Sequence, residues 1–401
     1  MHIPEQRKKL LLFTLEFPPF IGGVSTYNYE LSVGLAELGF RVNVLTRSYP
    51  SMLHAQRQID DELLGKFGIT IIRKKDIRHA GIIGWYVTLN SFISQQGYDY
   101  FCMLITDIGG LRVASLVKPK RYALDYIITV HGSEIYTTFV KRYASRGIMK
   151  VFFPIFKRLA HLLYSNAKCV IFVSTYTKNL FFNNFKGTLV TWAVIHNGIS
   201  PDKIIGEDKL LKKLISKKAV LNLVTISRLD YRKNHEAVIN AIDALPDNIK
   251  NYLVYRIAGD GPSKSFLVSM VKEKKLEKIV RFTGKIAENQ KWTLLDSSDA
   301  YIMPSKELEG TVEGLGISFL EAAGRGLPLI GGKHGGVPEI IIDGFNGYLV
   351  QPNNSKQIAD AIYALLRSEE LLKSMSLNSL TIAKKFTRDK MATKTAQVIL
   401  Q

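Results

Sequence analysis

The fold is indicated most clearly by one run of residues, Glu313-Gly314-Leu315-Gly316-Ile317-Ser318-Phe319-Leu320-Glu321. The run comes shortly after the apolar segment 300–303, which predicts a buried strand, and its glycine-rich turn predicts the start of a helix. The two glutamates are eight positions apart, so Glu313 precedes the helix and Glu321 lies about two turns into it. Free amides at such a helix start, here those of Gly316 and Ile317, can receive a diphosphate.

The rest of the chain alternates strand-like apolar runs with longer helical patterns, which predicts parallel sheets covered by helices. In the first half the predicted strands are 10–15, 41–46, 100–105, 126–130 and 169–173. In the second half they are 220–226, 252–257, 280–283, 300–303, 327–330 and 348–350. After the first strand we predict a helix from about Val24, with Tyr27, Leu31 and Leu35 on one side.

The chain length and a local change in composition predict two α/β domains. A chain of 401 residues is too long to fold around one hydrophobic core of ordinary size. The lysine-rich segment 200–218 precedes a new strand, so we place a boundary near residue 200. Two doubly wound sheets bind ligands at the carboxyl ends of their strands, and we expect these edges to face each other across a cleft.

Three further motifs follow predicted strands. Gly22 and Gly23 form a turn that lets the backbone approach a phosphate, although many turns contain paired glycines. His131 can donate to a substrate hydroxyl or phosphate, or it is an ordinary hydrogen-bonded turn histidine. Arg228 and Lys233 flank a turn and suit contact with a diphosphate, or they belong to a solvated basic loop.

Composition narrows the possible partners. The net charge of +19 favours polyanions, namely nucleic acid, anionic lipid or phosphorylated substrates. No helix-turn-helix, zinc or RNP-type motif supports nucleic acid, which we do not expect as a partner. Cys102 and Cys169 lie in apolar runs without CxxC spacing, which favours buried thiols in a reducing cytoplasm over a disulfide or metal pair.

A basic, aromatic stretch within 137–167 suits docking on an anionic membrane, or it is an ordinary amphipathic helix with core phenylalanines and solvated cations. Its members are Phe139, Lys141, Arg142, Tyr143, Arg146, Lys150, Phe152, Phe153, Phe156, Lys157 and Arg158. We predict neither a signal peptide nor a membrane span, because polar residues interrupt the long uncharged segment 80–98. The expected location is therefore cytoplasmic and peripheral, on the inner face of the cytoplasmic membrane.

The run from Glu313 to Glu321 resembles the E-x7-E motif of the retaining glycosyltransferases of family 4, and residues 312–339 resemble members of that family that transfer mannose to lipid acceptors. Other landmarks occur in the family's order: Gly22-Gly23, His131-Gly132, Asn197-Gly198, Arg228 with Lys233, Gly259-Asp260-Gly261-Pro262, and Phe282-Thr283-Gly284. The resemblance extends from residue 10 to about residue 390. It implies the GT-B fold, in which two Rossmann-like doubly wound domains face each other across a cleft.

The resemblance also implies domain roles. An acceptor-binding domain spans 1–199 and a nucleotide-sugar-binding domain spans 200–386. A closing helix within 387–401 returns to the first domain as a hinge-side strap.

Donor-site roles follow from the same resemblance. Gly22 and Gly23 approach the donor diphosphate, and Arg228 and Lys233 neutralise it as charge develops on the leaving group. Ile286 meets the nucleobase through its backbone.

The resemblance also implies roles at the two sugars of the donor. Glu321 holds the ribose of the nucleotide, and Glu313 and His131 position the transferred hexose. Attack occurs on the same face as departure, with the donor phosphate taking the acceptor proton; a covalent adduct on Glu313 is the alternative. The family implies no metal and no other cofactor, because cations and helix dipoles replace a divalent ion.

The implied function is transfer of a hexose, with mannose from GDP-mannose favoured, to a lipid-linked glycan or lipopolysaccharide-type acceptor. A UDP-sugar-dependent transferase and a sugar-nucleotide epimerase of the same fold are the alternatives. A glycan phosphorylase requires a pyridoxal-phosphate lysine, for which we find no motif.

Overall fold

The computed structural model describes residues 8–75, 81–140, 153–215, 220–308 and 310–401. The chain divides into two compact units. Unit 1 contains the described residues up to Gly198 together with Arg388–Gln401, and unit 2 contains those of Ile199–Thr387. Each unit is built on one parallel β-sheet.

Within the described part of unit 1, the sheet has seven strands in the order β3-β2-β1-β4-β5-β6-β7. The strands are β1 (Lys9–Phe13), β2 (Arg41–Arg47), β3 (Thr70–Lys74), β4 (Cys102–Ile105), β5 (Tyr126–Val130), β6 (Cys169–Phe172) and β7 (Trp192–Val194). The helices are α1 (Gly23–Glu37), α2 (Leu53–Phe67), α3 (Gly81–Gln96), α4 (Ile108–Val117), α5 (Ser133–Phe139), α6 (Phe153–Ser165) and α7 (Thr175–Asn184). The strand order reverses between β1 and β4, which are neighbours.

Within the described part of unit 2, the sheet has six strands in the order β10-β9-β8-β11-β12-β13. The strands are β8 (Leu221–Ile226), β9 (Leu253–Ala258), β10 (Val280–Gly284), β11 (Ala300–Met303), β12 (Leu329–Gly332) and β13 (Gly347–Val350). The helices are α8 (Glu207–Ile215), α9 (His235–Asp243), α10 (Asp247–Lys250), α11 (Lys264–Glu273), α12 (Glu288–Asp296), α13 (Ile317–Gly324), α14 (Ser355–Arg367) and α15 (Glu369–Ala383). Here the order reverses between β8 and β11.

The α/β prediction is confirmed, and every predicted strand overlaps a strand of the structure. The central strands are almost fully buried, which is why they read as continuous apolar runs. The two strands that the sequence did not predict are β3 and β7, at opposite edges of the first sheet. Neither contains a fully buried residue, so neither has a strong apolar signal.

The first helix is also confirmed. Tyr27, Leu31 and Leu35 are buried on one side of α1. Both cysteines are free and buried, in agreement with the interpretation as thiols. Cys102 starts β4 and Cys169 starts β6, with β5 between them, so the two thiols are too far apart for a disulfide.

Unit 1 is completed by a helix from the far end of the chain, α16 (Arg388–Leu400), which packs on α1. Gly34 permits close approach, because a Cβ atom there would lie 2.6 Å from the Cβ of Ala392. Arg388 then bonds Glu30 at 3.3 Å and Glu37 at 3.0 Å, which fixes the start of the helix.

Candidate active site

The reversal point of the second sheet brings two loops together. The loop after β8 contains the motif 228–234, and the loop after the neighbouring strand β11 contains Glu313. Asn234 has a left-handed backbone conformation, with φ of 61°, and its side-chain amide donates to the carbonyls of Pro304 (3.0 Å) and Pro352 (2.7 Å). Both loops are therefore fixed at the carboxyl edge of the sheet, where doubly wound folds bind ligands.

Glu313 lies between two cations of the neighbouring loop. Its Oε2 atom accepts from Lys233 Nζ at 2.7 Å and from Arg232 Nη1 at 2.8 Å. The three side chains are only 12–18% exposed, so these are charge-assisted bonds in a partly desolvated site. The structure thus joins Lys233 and Glu313, two predicted site residues, and adds Arg232, for which no role was predicted. The signal was present as a second cation directly before Lys233.

The charge of Glu313 is stabilised by this arrangement. Burial opposes ionisation, but the attraction of Lys233 and then of Arg232 outweighs it and lowers the pKa of Glu313 to about 2. Glu313 is therefore a carboxylate at all ordinary pH values. An ionised carboxylate accepts hydrogen bonds from sugar hydroxyls and stabilises positive charge, but it cannot act as a general acid.

Arg228 occupies a different position. Its side chain is exposed and has no hydrogen bond to Glu313 in the described part of the chain. Its loop is nevertheless tightly held, because Leu229 N donates to the carbonyl of Asp260 at 3.0 Å. A Cβ on Gly259 would lie 1.9 Å from the carbonyl oxygen of Ser227, so this approach requires glycine. The exposed guanidinium is thus anchored at its base and reaches into solvent.

The start of α13 has the geometry that the glycine-rich turn predicted. Gly316 is the residue before the helix and has φ of 94°, and a Cβ there would lie 2.7 Å from the Phe319 ring. The helix begins at Ile317. Behind this turn, Gly336 N donates to the carbonyl of Glu313 at 2.9 Å, so the second glycine-rich turn supports the first.

Glu321 lies within α13, as predicted, and its side chain is buried. Its Oε1 atom accepts from Lys291 Nζ at 2.5 Å, and Lys291 also contacts Glu288 at 2.8 Å. Burial raises the pKa of Glu321, while Lys291 opposes the rise. Lys291 was missed, because a lysine three residues after a glutamate is typical of any exposed helix. It lies on α12, just after the loop that contains Ile286.

The remaining predicted site residues lie in unit 1. Gly22 precedes α1 and Gly23 is its first residue; Gly23 is exposed, so its amide is accessible at the helix N-terminus. Gly22 has φ of 175°, an extended conformation open to any residue. A Cβ on Gly22 would lie 3.4 Å from the Phe20 ring, an ordinary van der Waals contact, so neither space nor backbone conformation requires glycine there.

His131 follows β5 and is oriented by hydrogen bonds. Its backbone amide donates to the carboxylate of Glu134, and its Nε2 lies 3.0 Å from the carbonyl oxygen of Thr106. A carbonyl only accepts, so Nε2 carries the proton. Burial lowers the pKa of His131 to about 4, so the ring is neutral and Nδ1 is an acceptor. The expected donation to a ligand is therefore wrong for this tautomer: the remaining ring nitrogen accepts.

A further titratable group lies at the reversal point of the first sheet. Asp107 accepts hydrogen bonds from Thr14 Oγ1, the amide of Leu15 and the amide of Glu16. Burial, and next the charge of Asp107, raise the pKa of Glu16 to about 7, although Arg47 opposes the rise. Glu16 was not selected from the sequence, where a glutamate before Pro18-Pro19 suggests only a turn.

The basic, aromatic stretch is only partly a surface. Phe139 and Phe153 are buried in unit 1, at 4% and 7% exposure, so they are not available for docking. Lys141, Arg142, Tyr143, Arg146, Lys150 and Phe152 lie outside the described residues. On α6 the exposed apolar side chains are Ile155 (55%) and Leu162 (49%), seven positions apart on one side of the helix.

The described residues include no cluster of three or more His, Cys, Asp or Glu side chains arranged to hold a metal ion. Among the described helices, none has the length and apolar character needed to cross a bilayer.

Comparison with known proteins agrees with this geometry. The family model "Glycosyl transferases group 1" matches residues 207–380, and the model "Glycosyltransferase Family 4" matches residues 21–203. Together the two models match most of both units.

Individual proteins match over almost their whole length. An uncharacterised glycosyltransferase of Methanocaldococcus jannaschii is 28% identical over 378 residues, which cover 92% of each chain. A GDP-mannose-dependent alpha-(1-6)-phosphatidylinositol monomannoside mannosyltransferase of Mycobacterium tuberculosis is 24% identical over 367 residues, which cover 89% of each chain. The crystal structure of Anabaena HepE with UDP and glucose is 18% identical, with a TM-score of 0.76 over 98% of this chain and 100% of that one.

The two family models and the shared two-sheet fold lead to one assignment. The chain belongs to the group 1, family 4 glycosyltransferases, which have the GT-B fold and transfer a hexose from a nucleotide sugar with retention of configuration.

Proposed function

We propose that the chain transfers mannose from GDP-mannose to a lipid-linked glycan or lipopolysaccharide-type acceptor. The observation that carries this proposal is the match over 89% of both chains to a mannosyltransferase that is GDP-mannose-dependent. Within unit 2, the exposed Arg228 and the fixed Lys233 offer positive charge to the donor diphosphate. The amides of Gly316 and Ile317, and those of Gly22 and Gly23, add helix N-termini to the donor site.

The other side chains have separate roles in this proposal. Glu321 holds the ribose, with Lys291 fixing one carboxylate oxygen. Ile286 meets the nucleobase through its backbone. Glu313 accepts hydrogen bonds from hydroxyls of the hexose and stabilises the positive charge that develops on the hexose ring. Nδ1 of His131 accepts a hydrogen bond from another hydroxyl of the hexose. No divalent ion takes part, because the cations and helix N-termini supply the positive charge.

A UDP-sugar is the second candidate donor. The Anabaena structure, which shares the fold, contains UDP and glucose. The two candidate donors differ in the nucleobase, which in this proposal contacts the backbone near Ile286.

The donor is identified by measuring binding and slow hydrolysis of a panel of GDP- and UDP-sugars, with EDTA present throughout. We expect GDP-mannose to bind and to release mannose in EDTA. Preference for a UDP-sugar would replace the donor, and activity only after a divalent ion is added would overturn metal independence. Conversion of the donor to an epimer without acceptor would establish the epimerase alternative.

We also propose that α6 docks unit 1 on the anionic, inner face of the cytoplasmic membrane, where a lipid-linked acceptor resides. Ile155 and Leu162 present apolar surface, and the exposed Arg158 flanks it. Sedimentation with phosphatidylglycerol vesicles tests this. Ile155→Ser with Leu162→Ser should abolish binding, whereas Val268→Ser with Ile342→Ser, two exposed apolar residues of unit 2, should not. Equal sedimentation of both double variants would place the docking surface elsewhere.

A further inference from the structure

Glu313 and the donor require the same cation. Lys233 is assigned to the diphosphate in the proposed function, yet its Nζ lies 2.7 Å from Glu313 Oε2. One lysine paired with one glutamate is electrically neutral. If the two loops carried only these two charges, the neutral pair of Lys233 and Glu313 would attract an incoming diphosphate only weakly.

Arg232 changes this balance. Its Nη1 donates to the same oxygen, Glu313 Oε2, at 2.8 Å. With two cations around one carboxylate, the group keeps a net positive charge. Lys233 has a flexible four-carbon stem and can turn toward a phosphate, while the planar guanidinium of Arg232 keeps its bond to Glu313.

The backbone around Arg232 is organised for such a role. The carbonyl of Arg232 accepts from the amide of Lys306 at 2.9 Å, and Lys306 lies on the same loop as Glu313. The ammonium group of Lys306 lies 3.8 Å from the centre of the Tyr231 ring. The two loops are thus joined through Arg232 in both main chain and side chain.

We propose that Arg232 is a positioning residue, which holds and neutralises Glu313 and so releases Lys233 to the donor diphosphate. This inference rests on the proposed roles of Glu313 and Lys233. It concerns a residue that acts through Glu313 and does not itself bind the diphosphate.

The ionisable groups near Glu313 support this assignment. Besides Arg232 and Lys233, the described groups include His334 and Tyr301, whose pKa values are affected by the charge of Glu313, and Glu307, whose charge also acts on His334. Burial lowers the pKa of His334 and raises the pKa of Tyr301, so both are neutral near pH 7. Among the described residues, the groups that lower the pKa of Glu313 are thus the two cations of the neighbouring loop.

The test measures affinity for whichever nucleotide sugar the wild-type protein binds in the panel above, by calorimetry on the full chain. Arg232→Gln should weaken binding at least about tenfold at pH 7, since Lys233 then stays on Glu313. Arg232→Lys should restore most of the affinity, which also shows that the site still folds. Arg367→Gln, which removes an exposed arginine of unit 2, is the matched control and should bind as wild type does.

A double-mutant cycle separates positioning from direct contact. In a Glu313→Gln background there is no carboxylate to hold, so adding Arg232→Gln should change affinity less than about twofold. An equal, additive loss in that background would show that Arg232 binds the diphosphate directly and would overturn the inference. So would wild-type affinity in Arg232→Gln itself.

The pH dependence gives a third readout. In Arg232→Gln the pKa of Glu313 should rise from about 2 toward its usual 4.5. Protonation of Glu313 then frees Lys233, so the affinity of Arg232→Gln for the nucleotide sugar, relative to that of wild type, should increase as the pH falls from 6 to 4. Dividing by the wild-type value removes the contribution of His131, whose pKa of about 4 is common to both proteins. A ratio that does not change with pH contradicts the inference. Failure of the wild type to bind any donor would instead refute the proposed function.

Discussion

Lys233 and Glu313 are 80 positions apart in the sequence, and Lys233 Nζ lies 2.7 Å from Glu313 Oε2. The contact forms because β8 and β11 are neighbours, although β9 and β10 separate them along the chain. Each residue is on the loop that follows its strand. The reversal of strand order therefore creates the contact between the basic loop and the first glutamate of the E-x7-E motif.

Removal of the two predicted diphosphate cations should abolish turnover. Each charge-assisted contact to a leaving group in a preorganised site is worth about 10²–10³ in kcat. We expect Lys233→Met and Arg228→Gln each to lower donor hydrolysis by about 10²-fold, and the double variant to be inactive. The control is Lys278→Met with Arg367→Gln, which removes two exposed cations of unit 2. Robust hydrolysis by the first double variant, with its fold intact by circular dichroism, would refute the diphosphate role.

Glu313→Gln should reveal the lowered pKa of this carboxyl as a stability effect. A carboxyl whose folded pKa is about 2, against 4.5 ordinarily, adds stability above pH 4.5 and loses it as the pH falls toward 2. The difference in unfolding free energy between wild type and Glu313→Gln should be about 3 kcal/mol at pH 7 and shrink below pH 4.5. Urea denaturation at pH 7, 5 and 3.5 measures it. A difference as large at pH 3.5 as at pH 7 contradicts the lowered pKa.

His131 should remain neutral with its proton on Nε2 throughout the range of activity. The carbonyl of Thr106 fixes this tautomer, and burial lowers the pKa to about 4. Nitrogen-15 NMR of the histidine rings, with His131→Asn to identify the signal, distinguishes the tautomers directly. The signal should not titrate between pH 8 and pH 5. A midpoint near 6.5, or a proton on Nδ1, would refute the acceptor role of Nδ1.

Glu321→Gln should weaken donor binding through the ribose. Carboxylates accept ribose hydroxyls more strongly than amides do, because the bond is charge-assisted. Wild type should prefer a nucleoside diphosphate over its 2′,3′-dideoxy analogue by about tenfold or more, and Glu321→Gln should lose most of this preference. Calorimetry with both ligands measures the effect. Asp360→Asn, at an exposed carboxylate of the same unit, is the control. A preference that persists in Glu321→Gln would remove the ribose role.

The sequence predicted those parts of the fold that depend on local pattern. The buried strands are continuous apolar runs, and the turns that precede α1 and α13 are rich in glycine, so both were predicted correctly. The edge strands β3 and β7 were missed because neither contains a buried residue. For them, pairing with a neighbouring strand decides the structure, and such pairing leaves little local signal.

The site was predicted less completely, because side-chain direction depends on tertiary contacts. The sequence identified Arg228 and Lys233 but not Arg232, whose side chain contacts a residue 81 positions away, Glu313. Similarly, composition could not distinguish Phe153, which is buried, from Ile155, which is exposed two positions later. The tautomer of His131 depends on a carbonyl at the end of the neighbouring strand.

The packing of α16 on α1 means that unit 1 is assembled from two separated stretches of the chain. During synthesis, residues 388–401 leave the ribosome only after every residue of unit 2 has been made. Unit 2 is contiguous and has all its residues available earlier, so the usual order, in which the N-terminal unit finishes folding first, is reversed here. Until α16 has been synthesised, the surface of α1 around Gly34 that it covers in the folded unit stays exposed in the nascent chain.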